Sequence, residues 1–149
     1  MQPLNLPQYE IKVAQRNGRL TIFDDLRGRH VALTPEEWVR QHFVHFLIDH
    51  RSYPAGLMAN EVQLRVGDKH LRCDTLLYNR ELQPQMIIEY KAPTVALTQR
   101  VFDQISAYNL LLRVPYLTVS NGMQHICCKM NYDTQTYHFL QEVPMYGDL

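Results

Sequence analysis

Three consecutive stretches, residues 85–90, about 98–113 and 114–120, constrain the fold of this chain more than any others. The first and third are short and strand-like, with Met86-Ile87-Ile88 forming the apolar heart of the first. Between them Val101, Ile105, Tyr108 and Leu112 recur at three- and four-residue steps, the buried stripe of a helix. Strand, helix, strand is a βαβ unit, and its two strands pair in parallel through a right-handed crossover. The sheet around it must therefore be at least partly parallel.

Upstream the pattern is antiparallel. Strand candidates at 60–66 and 70–78 are joined by Gly67-Asp68, and the polar run 79–84 turns the chain into 85–90. A helix running to about His50 precedes them. Thr34 suits its cap, Pro35 its first position, and Glu37 completes an S/T-x-x-E capping box. Trp38, Phe43, Phe46, Leu47 and Ile48 give that helix its apolar bulk. Residues 9–33 read as a β arm, with strands at 9–15 and 19–23 around the hairpin signal Asn17-Gly18. At the other end Asn121-Gly122 turns 114–120 into 124–130, and 137–140 adds a last strand. The expected architecture is one α/β domain over 1–149: an N-terminal β arm (1–33) and a core (34–140) whose mixed sheet carries a helix on each side.

Fifteen basic and fifteen acidic residues cancel, so any polyanion site must be a local patch. No apolar run approaches a membrane span, and Met1-Gln2-Pro3-Leu4-Asn5 lacks a signal-peptide pattern. Three cysteines without a CxxC favour reduced thiols. A cytoplasmic protein with no membrane role is the expectation.

The chemistry concentrates in Arg72-Cys73-Asp74 and, fifteen residues after Asp74, Glu89-Tyr90-Lys91. On a strand alternate side chains share a face, so Glu89 and Lys91 point the same way about 7 Å apart. Asp74, on the neighbouring antiparallel strand, can reach that face. Two carboxylates suit Mg²⁺, which takes hard oxygen ligands and keeps several waters. The Lys91 ammonium can orient a water and offset charge at a phosphate. The competing reading of the bare pattern is a solvent-facing salt bridge at a sheet edge.

Further blocks stand in order around the acids: Thr34-Pro35-Glu36-Glu37-Trp38-Val39-Arg40-Gln41, Ile88-Glu89-Tyr90-Lys91-Ala92-Pro93, Gln104-Ile105-Ser106-Ala107-Tyr108-Asn109 and Thr118-Val119-Ser120-Asn121-Gly122. With these the chain resembles the restriction-endonuclease-like fold of PD-(D/E)XK nucleases. More narrowly, it resembles the N-terminal nuclease domain of type I restriction enzyme R subunits over roughly residues 33–125. The resemblance implies a DNA endonuclease using Mg²⁺ or Mn²⁺, with Asp74 and Glu89 as metal ligands, the Tyr90 carbonyl as a further one, and Lys91 catalytic. It implies a third carboxylate from the first helix, at Glu37, with Glu36 and Glu61 as rivals; the other reading of Glu37 is the capping box. Gln104 and Tyr108, four apart on one helix face, match a Q-x-x-x-Y motif expected to order the site or touch DNA. Arg40, one turn beyond Glu37, would meet a phosphate or an acid.

DNA and the modification and specificity subunits of a restriction system are the implied partners, with the oligomeric state open, a homo-oligomer included. In the family motor domains follow, whereas this chain ends at Leu149 and holds no P-loop, so the family's ATP-driven long-range mechanism is not inferred for it. The alternative is a DNA-binding or assembly subunit that keeps the fold and does not cut. His42 and His45 read as surface or core-edge residues rather than metal ligands.

Overall fold

The computed structural model describes residues 1–149, except the side chain of Tyr108, so the motif role expected of that tyrosine lies outside the described residues. The N-terminal arm is a three-stranded antiparallel sheet: β1 (Val13–Arg16), β2 (Arg19–Asp24) and β3 (Arg29–Ala32). Helix α1 (Pro35–Arg51) follows. Then come the antiparallel strands β4 (Met58–Val66), β5 (Lys69–Tyr78) and β6 (Pro84–Tyr90), helix α2 (Gln99–Leu112), and β7 (Tyr116–Ser120), β8 (His125–Asn131) and β9 (Thr136–Phe139). The main sheet has the order β4-β5-β6-β7-β8-β9, and only β6 and β7 pair in parallel. The crossover expected from the sequence is present, with α2 inside it.

The sequence reading of the arm started its first strand too early. Residues before Val13 instead run as an irregular strap, tied by Asn5 N–H to the Gly122 carbonyl (2.8 Å) and by Trp38 Nε1 to the Gln2 carbonyl (2.9 Å). In the β1–β2 register Ile11 would stand opposite Asp24, where β2 ends, so residues 9 and 10 would have no partner.

Alternation along β6 places the helices on opposite faces. Met86, Ile88 and Tyr90 pack in one cluster with Val39, Phe43 and Leu47 of α1, and Ile87 packs in the other with Phe102 and Ile105 of α2. Thr34 caps α1 by accepting from the Glu37 amide (3.1 Å), and Ser52 closes it in the left-handed conformation, φ 60°. A cap is worth about 1 kcal/mol, whereas burying a side chain such as Phe43 or Leu47 contributes about 1.5–3 kcal/mol. Packing therefore fixes α1 more than its cap does.

The stripe of α2 is rotated from the expected one: Phe102, Ile105 and Asn109 are buried, while Val101 and Leu112 are only partly so. Asn109 is wholly buried because its Nδ2 donates to the Val114 carbonyl (3.3 Å), anchoring the helix end to the approach of β7. All three cysteines are buried and free. Among the described residues no helix is long and apolar enough to cross a membrane.

Candidate functional site

The β5–β6 ladder pairs Thr75 with Ile88, Leu76 with Ile87 and Leu77 with Met86, then stops. One step further, in the same register, Asp74 would stand opposite Glu89. The backbone ladder gives way there to a side chain: Asp74 Oδ2 accepts from the Tyr90 amide at 2.9 Å. The Asp74 carboxylate is thus held at the end of the pairing, against the carboxyl of Glu89.

Burial, followed by the Asp74 carboxyl beside it, drives the Glu89 carboxyl well above the usual carboxylate range. Lys91 opposes the shift without overcoming it. The same negative field reaches Cys73, which burial first and then Glu89 and Asp74 push up to about 12. Two carboxyls in this contact either share a proton or take a cation between them.

An open cleft of about 590 Å³ surrounds the pair. Asp74, Glu89, Tyr90 and Lys91 line it, together with Glu36 and Arg40 of α1, Glu61 of β4 and Ile105 of α2. The Lys91 backbone is pinned by its amide to the Ser120 carbonyl (2.9 Å), extending the parallel β6–β7 pairing by one bond. Its ammonium makes no ion pair among the described residues.

Arg40 organises the wall behind Asp74. Its Nη1 donates to the Asp74 carbonyl (2.7 Å) and its Nη2 to Glu61 Oε1 (2.6 Å). Its Nε lies 3.1 Å from Glu37 Oε2, an ion-pair contact outside hydrogen-bond angle. The guanidinium also sits 5.7 Å from the centre of the Tyr90 ring. Arg40 therefore ties α1 to β4, β5 and β6 at the site.

Glu37 belongs to that wall rather than to the cleft. Its Oε1 accepts from Arg27 (2.7 Å) and its Oε2 from Gln41 (2.9 Å). Arg27 in turn pairs with Asp24, which accepts from Asn60 Nδ2 (2.9 Å), and so the arm is bound to the core by a buried polar chain. Thr34 receives its half of the capping box, but the Glu37 carboxylate turns to the arginines. The expectation that Glu37 faces the acid pair is corrected accordingly: Glu36 and Glu61 are the additional carboxylates that line the cleft. Gln104 is exposed and is not among the lining residues; its neighbour Ile105 takes that place. The rotated stripe of α2 is the reason.

Glu61 is the feature sequence reasoning undervalued. Its φ is 56°, in a region non-glycine residues seldom occupy. Before it Met58 packs with the α1 cluster, and after it Val62 and Leu64 join the α2 cluster. The strand thus turns its faces at Glu61, opposite Asp74 in the β4–β5 register, where the ladder skips a pair. Such strain concentrates at functional positions, and no local signal such as glycine marks it in the sequence.

His42 and His45 are accounted for structurally. Tyr9 stacks on His45 at 3.9 Å and meets His42 edge-on at 5.0 Å, while His45 pairs with Asp25 (3.0 Å). Among the described residues no three His, Cys, Asp or Glu side chains gather as a metal cage. The carboxylates at hand in the cleft are the Asp74–Glu89 pair, with Glu36 and Glu61 further along its lining.

The family model described as "Type I restriction enzyme R protein N terminus" matches residues 35–144. A solved fragment described as an HsdR subunit of a type I restriction enzyme from Vibrio vulnificus YJ016 superposes with a TM-score of 0.51 at 18% identity. The match covers 76% of this chain and 24% of that one, and at this identity it speaks to the fold alone. The chain thus spans about a quarter of the solved chain it matches. No curated protein matches it.

Proposed function

The chain belongs to the type I restriction enzyme R protein N-terminal family, and from that premise we propose that it is a single PD-(D/E)XK-type domain cutting DNA with a divalent metal. The observation that carries this reading is the meeting of Asp74 and Glu89 at the end of a ladder, with Lys91 in the same cleft. The donor set fits the metal. Mg²⁺ is commonly held by one or two carboxylates and retains several waters, and two hard oxygens now crowded enough to favour a shared proton offer that arrangement. Asp74 and Glu89, with the Tyr90 carbonyl as a further ligand, would hold Mg²⁺ or Mn²⁺, and the ion would supply charge neutralisation and water activation at a phosphodiester.

The protein's own groups do the rest. The Tyr90 amide and Arg40 hold Asp74 from its side chain and its carbonyl, which fixes the carboxylate before substrate arrives. Lys91 places an ammonium beside the scissile phosphate, where it donates to a non-bridging oxygen and aligns the attacking water. Because the Lys91 ammonium has no ion-pair partner among the described residues, contact with substrate breaks no salt bridge.

Plasmid nicking and linearisation with Mg²⁺ or Mn²⁺ test the reading. Wild type is expected to cut, and Asp74→Ala, Glu89→Ala and Lys91→Ala to lose at least about a hundredfold in rate. Equal activity in all four proteins would refute it. As part of an R protein the domain would act beside modification and specificity subunits, and co-purification with them tests that partnership separately.

A further inference from the structure

Two carboxylates repel the polyanion they would have to cut, so cations must flank them. The β4–β5 hairpin supplies such a flank. In its register Gln63 stands opposite Arg72 and Arg65 opposite His70, so these four side chains share one face. All four are exposed. The opposite face is the apolar one, with Val62, Leu64 and Cys73 packed on the α2 cluster. The polar face is thereby turned outward, and its inner members, His70 and Arg72, line the same cleft as Asp74 and Glu89.

Arg65 and His70 stand directly opposite each other with no acid paired to either among the described residues. Arg65 Nε donates to the Gly67 carbonyl (3.1 Å) and makes no ion pair among the described residues. Arg72 Nε reaches Glu61 Oε2 at 3.2 Å, but the Arg72 side chain is 68% exposed, and a pair so open is weak enough for a phosphate to displace.

We propose that this face is a backbone track for DNA. Arg72, His70 and Arg65 hold successive phosphates of the strand leaving the cleft on one side of the cut, and Gln63 bonds the same backbone. Arg72 and His70, alternate on β5, lie about 7 Å apart, of the order of the spacing between neighbouring phosphates, and Arg65 widens the row across the hairpin. The proposal rests on the nuclease reading above for its substrate.

Binding is measured in EDTA, where nothing is cut, by anisotropy of a labelled DNA duplex over a series of salt concentrations. The proteins are wild type, Arg65→Gln, Arg72→Gln, the double variant, and Arg100→Gln as a charge-matched control on exposed α2. Thermal melts confirm that each is folded. The double variant should lower the slope of log affinity against log salt by about two and Arg100→Gln should leave it unchanged. Arg65→Lys with Arg72→Lys should restore the slope, since a phosphate accepts either cation. Where the wild type cuts, the double variant should raise KM about tenfold with kcat within about twofold. An unchanged slope and KM in the double variant would overturn the track and leave the nuclease reading standing. A reduced slope in a wild-type protein that fails to cut with either Mg²⁺ or Mn²⁺ keeps the track and removes the nuclease reading instead.

Discussion

Glu89 sits where two carboxyls meet with little water to separate them. Its pKa in the folded chain lies above the unfolded value of 4.5, burial and Asp74 being the causes. A carboxyl raised on folding contributes stability that is complete below the unfolded pKa and is lost as pH rises through the folded one. At neutral pH without metal the fold keeps a proton on the pair that the unfolded chain releases, and this costs stability. Glu89→Gln should raise the melting temperature by a few degrees at pH 8 in EDTA and change it little near pH 4, while abolishing cleavage. A lower melting temperature at pH 8 would contradict this account of the pair. Asp74, Glu89 and Lys91 were legible in the sequence because strand alternation is a local rule and a short turn brings the two strands together. The surroundings of Glu37 were not, because Arg27 reaches it from an arm whose docking no local pattern records.

At the scale of elements, every core strand and both helices were readable from periodicity and caps. The phase of α2 was not. Val101 and Phe102 both suit a 3.6-residue stripe through Ile105, and only the packing of Phe102 against the sheet decides between them. The rotation also leaves Gln104 exposed. Residues 9–12 run in the N-terminal strap rather than in the expected strand for a related reason: the strap's order comes from distant partners. Gly122 is one of them, with φ 84° and no room for a Cβ, which would lie 2.7 Å from Leu4 Cδ2. Gly122→Ala should cost about 1–3 kcal/mol in urea unfolding, from backbone strain and the clash together. Adding Leu4→Ala should relieve the clash but not the strain, so the double variant recovers only part of the loss beyond the cost of Leu4→Ala itself. Additivity of the two substitutions would show that the strap does not press on the turn.

For the whole molecule, burial holds two histidines below their ordinary 6.5: His42, bonded through Nδ1 to the Trp38 carbonyl, and His125, set between Ser120 and the Asn5 carbonyl. The unfolded chain binds more protons than the folded one below 6.5, so stability is complete above that value and declines as pH falls toward the depressed folded values. Glu89 acts in the opposite sense over the same range, so chemical denaturation at pH 7.5 and at pH 5.5 is done on Glu89→Gln, which should show the decline, and adding His42→Gln with His125→Gln should flatten it; an equal decline in that variant would assign it to other groups.

The meander of β4, β5 and β6 is local in sequence, whereas the parallel pairing of β6 with β7 waits for α2 to close the crossover. Asp74 and Glu89 both belong to the meander, but the backbone of Lys91 is fixed to Ser120 across the crossover. Local contacts form sooner than distant ones, so pulse-labelled hydrogen exchange during refolding should protect the β5 and β6 amides before that of Lys91. On a ribosome the same order means that a nascent chain places its two acids before its lysine, and the cleft is complete only after Ser120 has emerged.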